Sequence, residues 1–272
     1  LSAAGDIAVG TVDARGVGGG DVTLTAAALL LTDAQGIAGS GALRVQPPSP
    51  DDAIAIGTAP EGFEGLALSQ LLLNRVSDGF ASLTIGREDG RHAISIVDVT
   101  FALPVTIQTP DGGQTVIDAT EGTTGLFGNG SVTVIGSGGT TFLNAGIRTS
   151  GQPIVIRDSV VLGGPVTLDT AGGGISLLGA LDGAFPLTLA AGVGDVTFGG
   201  PVGGSAAPTA VDVASARNVL IDARFAAGGL WLNQTGDASS GGDALDVGTL
   251  YLNPAAASAN LVGRVAGRSG RE

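Results

Sequence analysis

Short apolar triplets with a polar residue at the centre recur along the chain, separated by glycines. In residues 152–204 the pattern is clearest. Val166-Thr167-Leu168 returns as Leu187-Thr188-Leu189, and Ile175-Ser176-Leu177 returns as Val196-Thr197-Phe198, each about 21 residues later. An extended strand turns alternate side chains to opposite faces, so the outer residues of each triplet point inward and Thr or Ser points outward. Two interleaved series sharing one period are the signature of stacked coils. The intervening glycines supply the backbone angles of tight corners. The pattern predicts an all-β fold: a single-stranded right-handed parallel β-helix with coils of about 20 residues, the hand following the bias of parallel crossovers.

The same grammar extends through most of the chain. Ile7-Ala8-Val9, Val22-Thr23-Leu24 and the stretch Ala42 to Val45 read as strands, and the run Ala26 to Leu31 fits a strand or a short buried helix. Pro47, Pro48 and Pro50 cannot donate to a ladder, so a loop excursion is expected near 46–62, with Ile54-Ala55-Ile56 re-entering the coil. Between Glu61 and Phe80, a helical period through Leu68, Leu72, Val76 and Phe80 competes with two strands and a corner. Strands are preferred there because the surroundings are strands. Leu83-Thr84-Ile85, Ile94-Ser95-Ile96, Val105-Thr106-Ile107 and Val132-Thr133-Val134 restore the triplets. After 204 the coils are looser, through Val211-Asp212-Val213, Val219-Leu220-Ile221, Leu230-Trp231-Leu232 and Leu250-Tyr251-Leu252. We expect β-helix over 1–262 without an internal boundary, and a linker or truncated continuation over 263–272, where Arg264, Arg268 and Arg271 alternate with small residues. A dozen or so coils stacked at ~4.8 Å would give a rod on the order of 60 Å long. Its ends would be open ladders capable of self-association.

Composition narrows the class. The chain has 272 residues, 48 of them glycine, yet 43% are hydrophobic, which argues against both collagen and disorder. The 12 basic residues are all arginine and face 25 acidic ones, a net charge of −13. Nucleic-acid binding needs a basic stripe, and none is visible. With no cysteine there is neither a disulfide framework nor thiol chemistry. No apolar run approaches the ~18 residues of a membrane span. The chain opens on Leu1 with no leader pattern, as expected of a piece of a longer or processed protein, so the rest of that chain is its first partner.

Candidate chemistry is sparse. Pro50-Asp51-Asp52-Ala53 resembles the paired-aspartate motif of polygalacturonases, in which two carboxylates divide acid and base roles. The Gly-His-Gly and Arg-Ile-Lys motifs of that family are missing, so a turn re-entering a strand is the better reading. His92 follows a charged turn and reads as a surface residue rather than a general base. Residues 241–247 (Gly-Gly-Asp-Ala-Leu-Asp-Val) approach the calcium-binding nonapeptide of β-rolls, but in a single copy, so a polar turn is the default and no cofactor is expected. Gly18-Gly19-Gly20-Asp21 precedes a strand and is no phosphate loop. Trp231 and Tyr251 stand at the centres of triplets about 20 residues apart, so both should face outward on adjacent coils. They are the one candidate ligand-binding pair; no residue qualifies as catalytic or metal-binding.

Residues 147–168, with Asp182-Gly183, Leu187-Thr188-Leu189-Ala190-Ala191-Gly192, Gly194-Asp195-Val196-Thr197-Phe198 and Val202-Gly203-Gly204, resemble the repeats of filamentous-haemagglutinin-like large exoproteins of Gram-negative bacteria and cyanobacteria. The likeness covers about residues 80–260. It implies a secreted or surface-displayed right-handed β-helix used in adhesion, biofilm matrix or as a stalk. The leading expectation is therefore an extracellular, non-enzymatic display segment with shallow contacts to glycans or a neighbouring cell surface. The alternative is a filament or scaffold subunit assembling through its ends, and a carbohydrate-active β-helix enzyme is the third reading.

Overall fold

The computed structural model describes residues 5–9, 12–16, 20–31, 36–75, 79–120, 125–136, 138–241, 245–253 and 255–265. Gly18, Gly19, Val76, Arg268 and Arg271, singled out above, lie outside them, as do residues 242–244. The fold is a parallel β-solenoid of about 21 residues per turn with almost no helix. Its packing groups the chain into two compact units, residues 1–140 and 141–272, where the sequence pattern gives no boundary.

In the first unit the strands Val22–Thr25, Ala42–Gln46, Ser82–Ile85, Val105–Gln108 and Val132–Ile135 stack in that order into one parallel sheet. A second face carries Val99–Phe101 beside Leu126–Gly128. On the third, Gln114–Asp118, Ala93–Val97, Ile54–Gly57 and Leu66–Leu68 lie side by side. Near the start, Ile7–Val9 pairs with Leu29–Leu31 and Val12–Ala14 with Ile37–Gly39, so the 26–31 run ends in a strand and the helical option fails.

The second unit repeats this plan. One sheet runs Ile154–Ile156, Ile175–Leu177, Val196–Phe198, Val219–Ile221, Asp237–Ser240 and Ser258–Asn260. Another runs Ile147–Thr149, Val166–Asp169, Pro186–Ala190, Ala210–Ala216, Phe225–Gln234, Leu245–Leu252 and Gly263–Val265. The third face links Val160 to Leu181, Leu181 to Val202, and Val202 to Phe225. Strand Gly263–Val265 continues the sheet past 263, in keeping with the second of the two options for that stretch: its three residues pair with Leu245, Asp246 and Val247. Its Arg264 is simply the outward residue of a strand, which the arginine-glycine composition concealed.

The triplets behave as their alternation requires. Ile154, Ile175, Val196 and Val219 stack inward, as do Ile156, Leu177, Phe198 and Ile221, all at 2% exposure or less. Removing one such side chain from water contributes roughly 1.5–3 kcal/mol. Phe198 meets Phe225 edge to face at 5.1 Å inside the coil. At one corner buried hydroxyls close the turn: Thr149 Oγ1 donates to the Gln152 carbonyl, and one coil later Thr170 Oγ1 donates to the Gly173 carbonyl. These contacts satisfy carbonyls that the corner removes from the strand ladders.

The excursion departs from expectation in its detail. Leu66–Leu68 is a strand as preferred, but Gln70–Leu73 is one turn of α-helix. Ser69 caps it by accepting from the Leu72 N–H, and Gln70 and the leucines are good helix formers. Gln70 then fastens the helix to a strand: its Oε1 accepts from the Thr100 N–H at 2.7 Å and its Nε2 donates to the Thr100 carbonyl at 3.0 Å. The chain also steps backwards, because Leu66–Leu68 lies on the far side of Ile54–Gly57 from Ala93–Val97. Meanwhile Leu43 pairs directly with Leu83, so the excursion leaves and rejoins between adjacent rungs.

Two substitutions test this packing. Gly86 has φ 101°, and a Cβ there would lie 2.1 Å from the Gln108 carbonyl oxygen, whereas Gly62, φ 71°, has open space around it. Gly62→Ala should cost about 1–2 kcal/mol from backbone strain alone, and Gly86→Ala at least about 2 kcal/mol more, read from urea unfolding. Asp158 is 2% exposed; its Oδ2 accepts from Thr141 Oγ1 at 3.0 Å while its Oδ1 has no partner. Burial raises its pKa, so the folded state favours the protonated acid and loses that advantage as pH rises through the raised value. Asp158→Asn should therefore unfold later than wild type at pH 7, with the gap narrowing in acid.

Candidate functional site

Outward residues of one sheet in the second unit align into a column that ends in aromatic side chains. Register pairs Thr167 with Thr188, Thr188 with Asp212, Asp212 with Trp231, and Trp231 with Tyr251. The structure therefore brings together the two residues the sequence nominated, on neighbouring rungs of one face. Tyr251 is 45% exposed, and Trp231 is half-buried.

The reason for the difference lies in Gly229. A Cβ at that position would meet Trp231 Cη2 and Cζ3, both at 2.3 Å. The indole thus leans back along its own strand over a residue that has no side chain. Any larger residue at 229 would push the ring off the sheet. Strand Phe225–Gln234 turns from one face to the next between Phe225, which pairs with Val202, and Leu230, which pairs with Val211. The bend puts Gly229, Trp231 and Asn233 on the outward side. Asp212, one rung before Trp231, is half-buried, and its Oδ1 is covered and has no hydrogen-bond partner.

Sequence reasoning nominated the aromatic pair and missed Asp212, Asn233 and Gly229. Asp212 was within reach, being the centre of Val211-Asp212-Val213 one coil earlier. Gly229 was not, because nothing in a string of residues says which way an indole leans.

The other candidates have structural roles. Arg91 forks onto Asp51, Nε to Oδ1 at 2.8 Å and Nη2 to Oδ2 at 3.0 Å, and reaches Asp111 Oδ2 at 3.2 Å. This pairing holds the Asp51 carboxyl below its usual range. Asp52 Oδ2 accepts from the Ser49 N–H at 3.0 Å, closing the loop before the strand. The two carboxylates serve different partners, as a turn would have it. Of the calcium-like stretch, Leu245 is buried in register with Phe225, Asp246 is exposed, and residues 242–244 lie outside the described residues. Among the described residues no three His, Cys, Asp or Glu side chains cluster as metal ligands, and no helix is long and apolar enough to cross a membrane.

His92 corrects an expectation: it is fully buried. The loop that leaves the coil at the prolines folds over it. Nδ1 lies 2.9 Å from the Asp52 carbonyl, and Nε2 is 3.3 Å from the Arg87 N–H. One nitrogen must donate and the other accept, which only the neutral ring with its proton on Nδ1 can do. Arg87 secures the same loop through Nη1 to the Pro48 carbonyl at 3.1 Å. The prolines announced a loop, but its landing place was set by contacts 40 residues apart in sequence.

No protein family, characterised protein or solved structure matches the chain.

Burial lowers the His92 pKa below 6.5, so the unfolded chain takes up the proton first. The stability it contributes is complete above pH 6.5 and is lost as pH falls towards the folded value. Urea midpoints should fall between pH 7.5 and pH 5, and His92→Gln should flatten that part of the profile. An equal fall in the variant would remove His92 from the account.

Proposed function

We propose that the chain is an extracellular, non-enzymatic segment of a large secreted or surface-displayed bacterial exoprotein of the filamentous-haemagglutinin-like kind. It acts as a stiff display element that makes shallow lateral contacts with glycans or a neighbouring surface. The observation that carries this reading is the division of side chains. Apolar residues fill the coil interior, while one outward column of the second unit runs through the hydroxyl and acidic residues Thr167, Thr188 and Asp212 before it ends in the aromatic pair. An outer surface of this kind keeps a highly apolar sequence in solution and offers repeated, shallow hydrogen-bonding positions. The groups that could have run hydrolysis support the reading too: Asp51 is held by Arg91, Asp52 closes a turn and His92 is sealed beneath a loop.

Native electrophoresis of the 272-residue chain through gels cast with different polysaccharides tests the reading. Retardation in at least one gel without clearing is the expected result. Clearing would replace the proposal with a carbohydrate-active enzyme, and free migration in every gel would reduce it to a purely structural role.

A further inference from the structure

The lateral-contact part of that reading can be made specific. We propose that Asp212, Trp231 and Tyr251, with Asn233 beside them, form a subsite for a neutral, extended oligosaccharide.

The argument begins with the indole. Its Cη2–Cζ3 edge lies over Gly229, and the ring stays partly exposed. A fixed aromatic face with an electron-rich surface suits the C–H face of a pyranose ring, and its restraint by the strand beneath lowers the ordering cost of binding. Tyr251, in register on the next rung, adds a second ring with a hydroxyl at its tip. On the other side of Trp231 stands Asp212, whose Oδ1 lacks a hydrogen-bond partner. That covered oxygen is out of a ligand's reach, so what this half-buried residue can offer at the surface is its other carboxylate oxygen. A sugar hydroxyl is a donor of the right kind, and a hydrogen bond to a carboxylate is among the stronger ones. Asn233, two residues along the strand from Trp231, can both donate and accept, as a sugar hydroxyl requires.

Spacing and charge choose among carbohydrates. Rungs stack at about 4.8 Å, so Asp212 to Tyr251 spans about 10 Å, enough for two linked pyranose rings lying across the rungs. The strip contains a carboxylate and belongs to a chain of net charge −13, so uronic or sulfated chains would be repelled. Neutral chains meet no such barrier.

Trp231 is the only tryptophan, so intrinsic fluorescence reports on this site alone. The probes are cellohexaose, laminarihexaose and mannohexaose, with hexagalacturonate as the anionic comparison. We expect a saturable shift in emission with at least one neutral hexasaccharide and none with hexagalacturonate. By calorimetry, Tyr251→Ala and Asp212→Asn should each weaken that binding about tenfold, with unfolding midpoints unchanged. Three results would overturn the site: no saturable change with any neutral probe, tighter binding of hexagalacturonate, or affinities that both variants leave unmoved. Gel retardation that persists in Trp231→Ala would sink this site while leaving the adhesive reading in place.

Discussion

Within each unit the structure rests on backbone hydrogen bonds that run from one coil to the next. A parallel rung repeats its register, so a residue that points inward sits on the inward residue of its neighbour. The core is consequently a set of columns, such as Ile154, Ile175, Val196 and Val219, and the surface is a set of columns too. A slip of one residue would turn an entire column inside out. The apolar triplets with polar centres hold the register against that slip, and the corner glycines and buried threonines let the chain change direction without leaving carbonyls unpaired.

What was legible in the sequence follows from this repetition. A strand alternates with period two and a coil with a nearly constant length, so both leave a trace in the residue order. The trace fades where a contact is made once. Gln70 meets Thr100, and His92 meets the loop at Asp52, across 30 and 40 residues of chain. Neither contact repeats, so neither could be read. The same logic explains the short helix at Gln70–Leu73: its leucines fit strand and helix equally, and a capping serine with a docking glutamine decides the matter locally. Asp158 shows the limit from the other side, since a carboxylate in a turn-like position gives no sign that packing will bury it.

The candidate site was half legible for a related reason. Outward direction follows from alternation, so the residue order alone places Trp231 and Tyr251 on one face. Their neighbours across the rungs could be counted out as well, although the looser spacing after residue 204 blurs the count: Asn218 answers Asp195 after 23 residues, and Asn253 answers Gln234 after 19. The lean of the indole depends on a missing side chain at Gly229 and a bend in the same strand. That is tertiary information.

The direct pairing of Leu43 with Leu83 has a further consequence. Between two rungs that touch, the chain leaves, builds a pair of strands and a helix, and comes back without disturbing the sheet it left. A solenoid of this kind is thus modular at its corners: new sequence can enter there while the ladder on the opposite face stays in step. Evolution can use such a corner to try out loops on a finished frame. An engineer could use the same doorway, at residues 58–65, to graft a foreign epitope and have it carried on a rigid support.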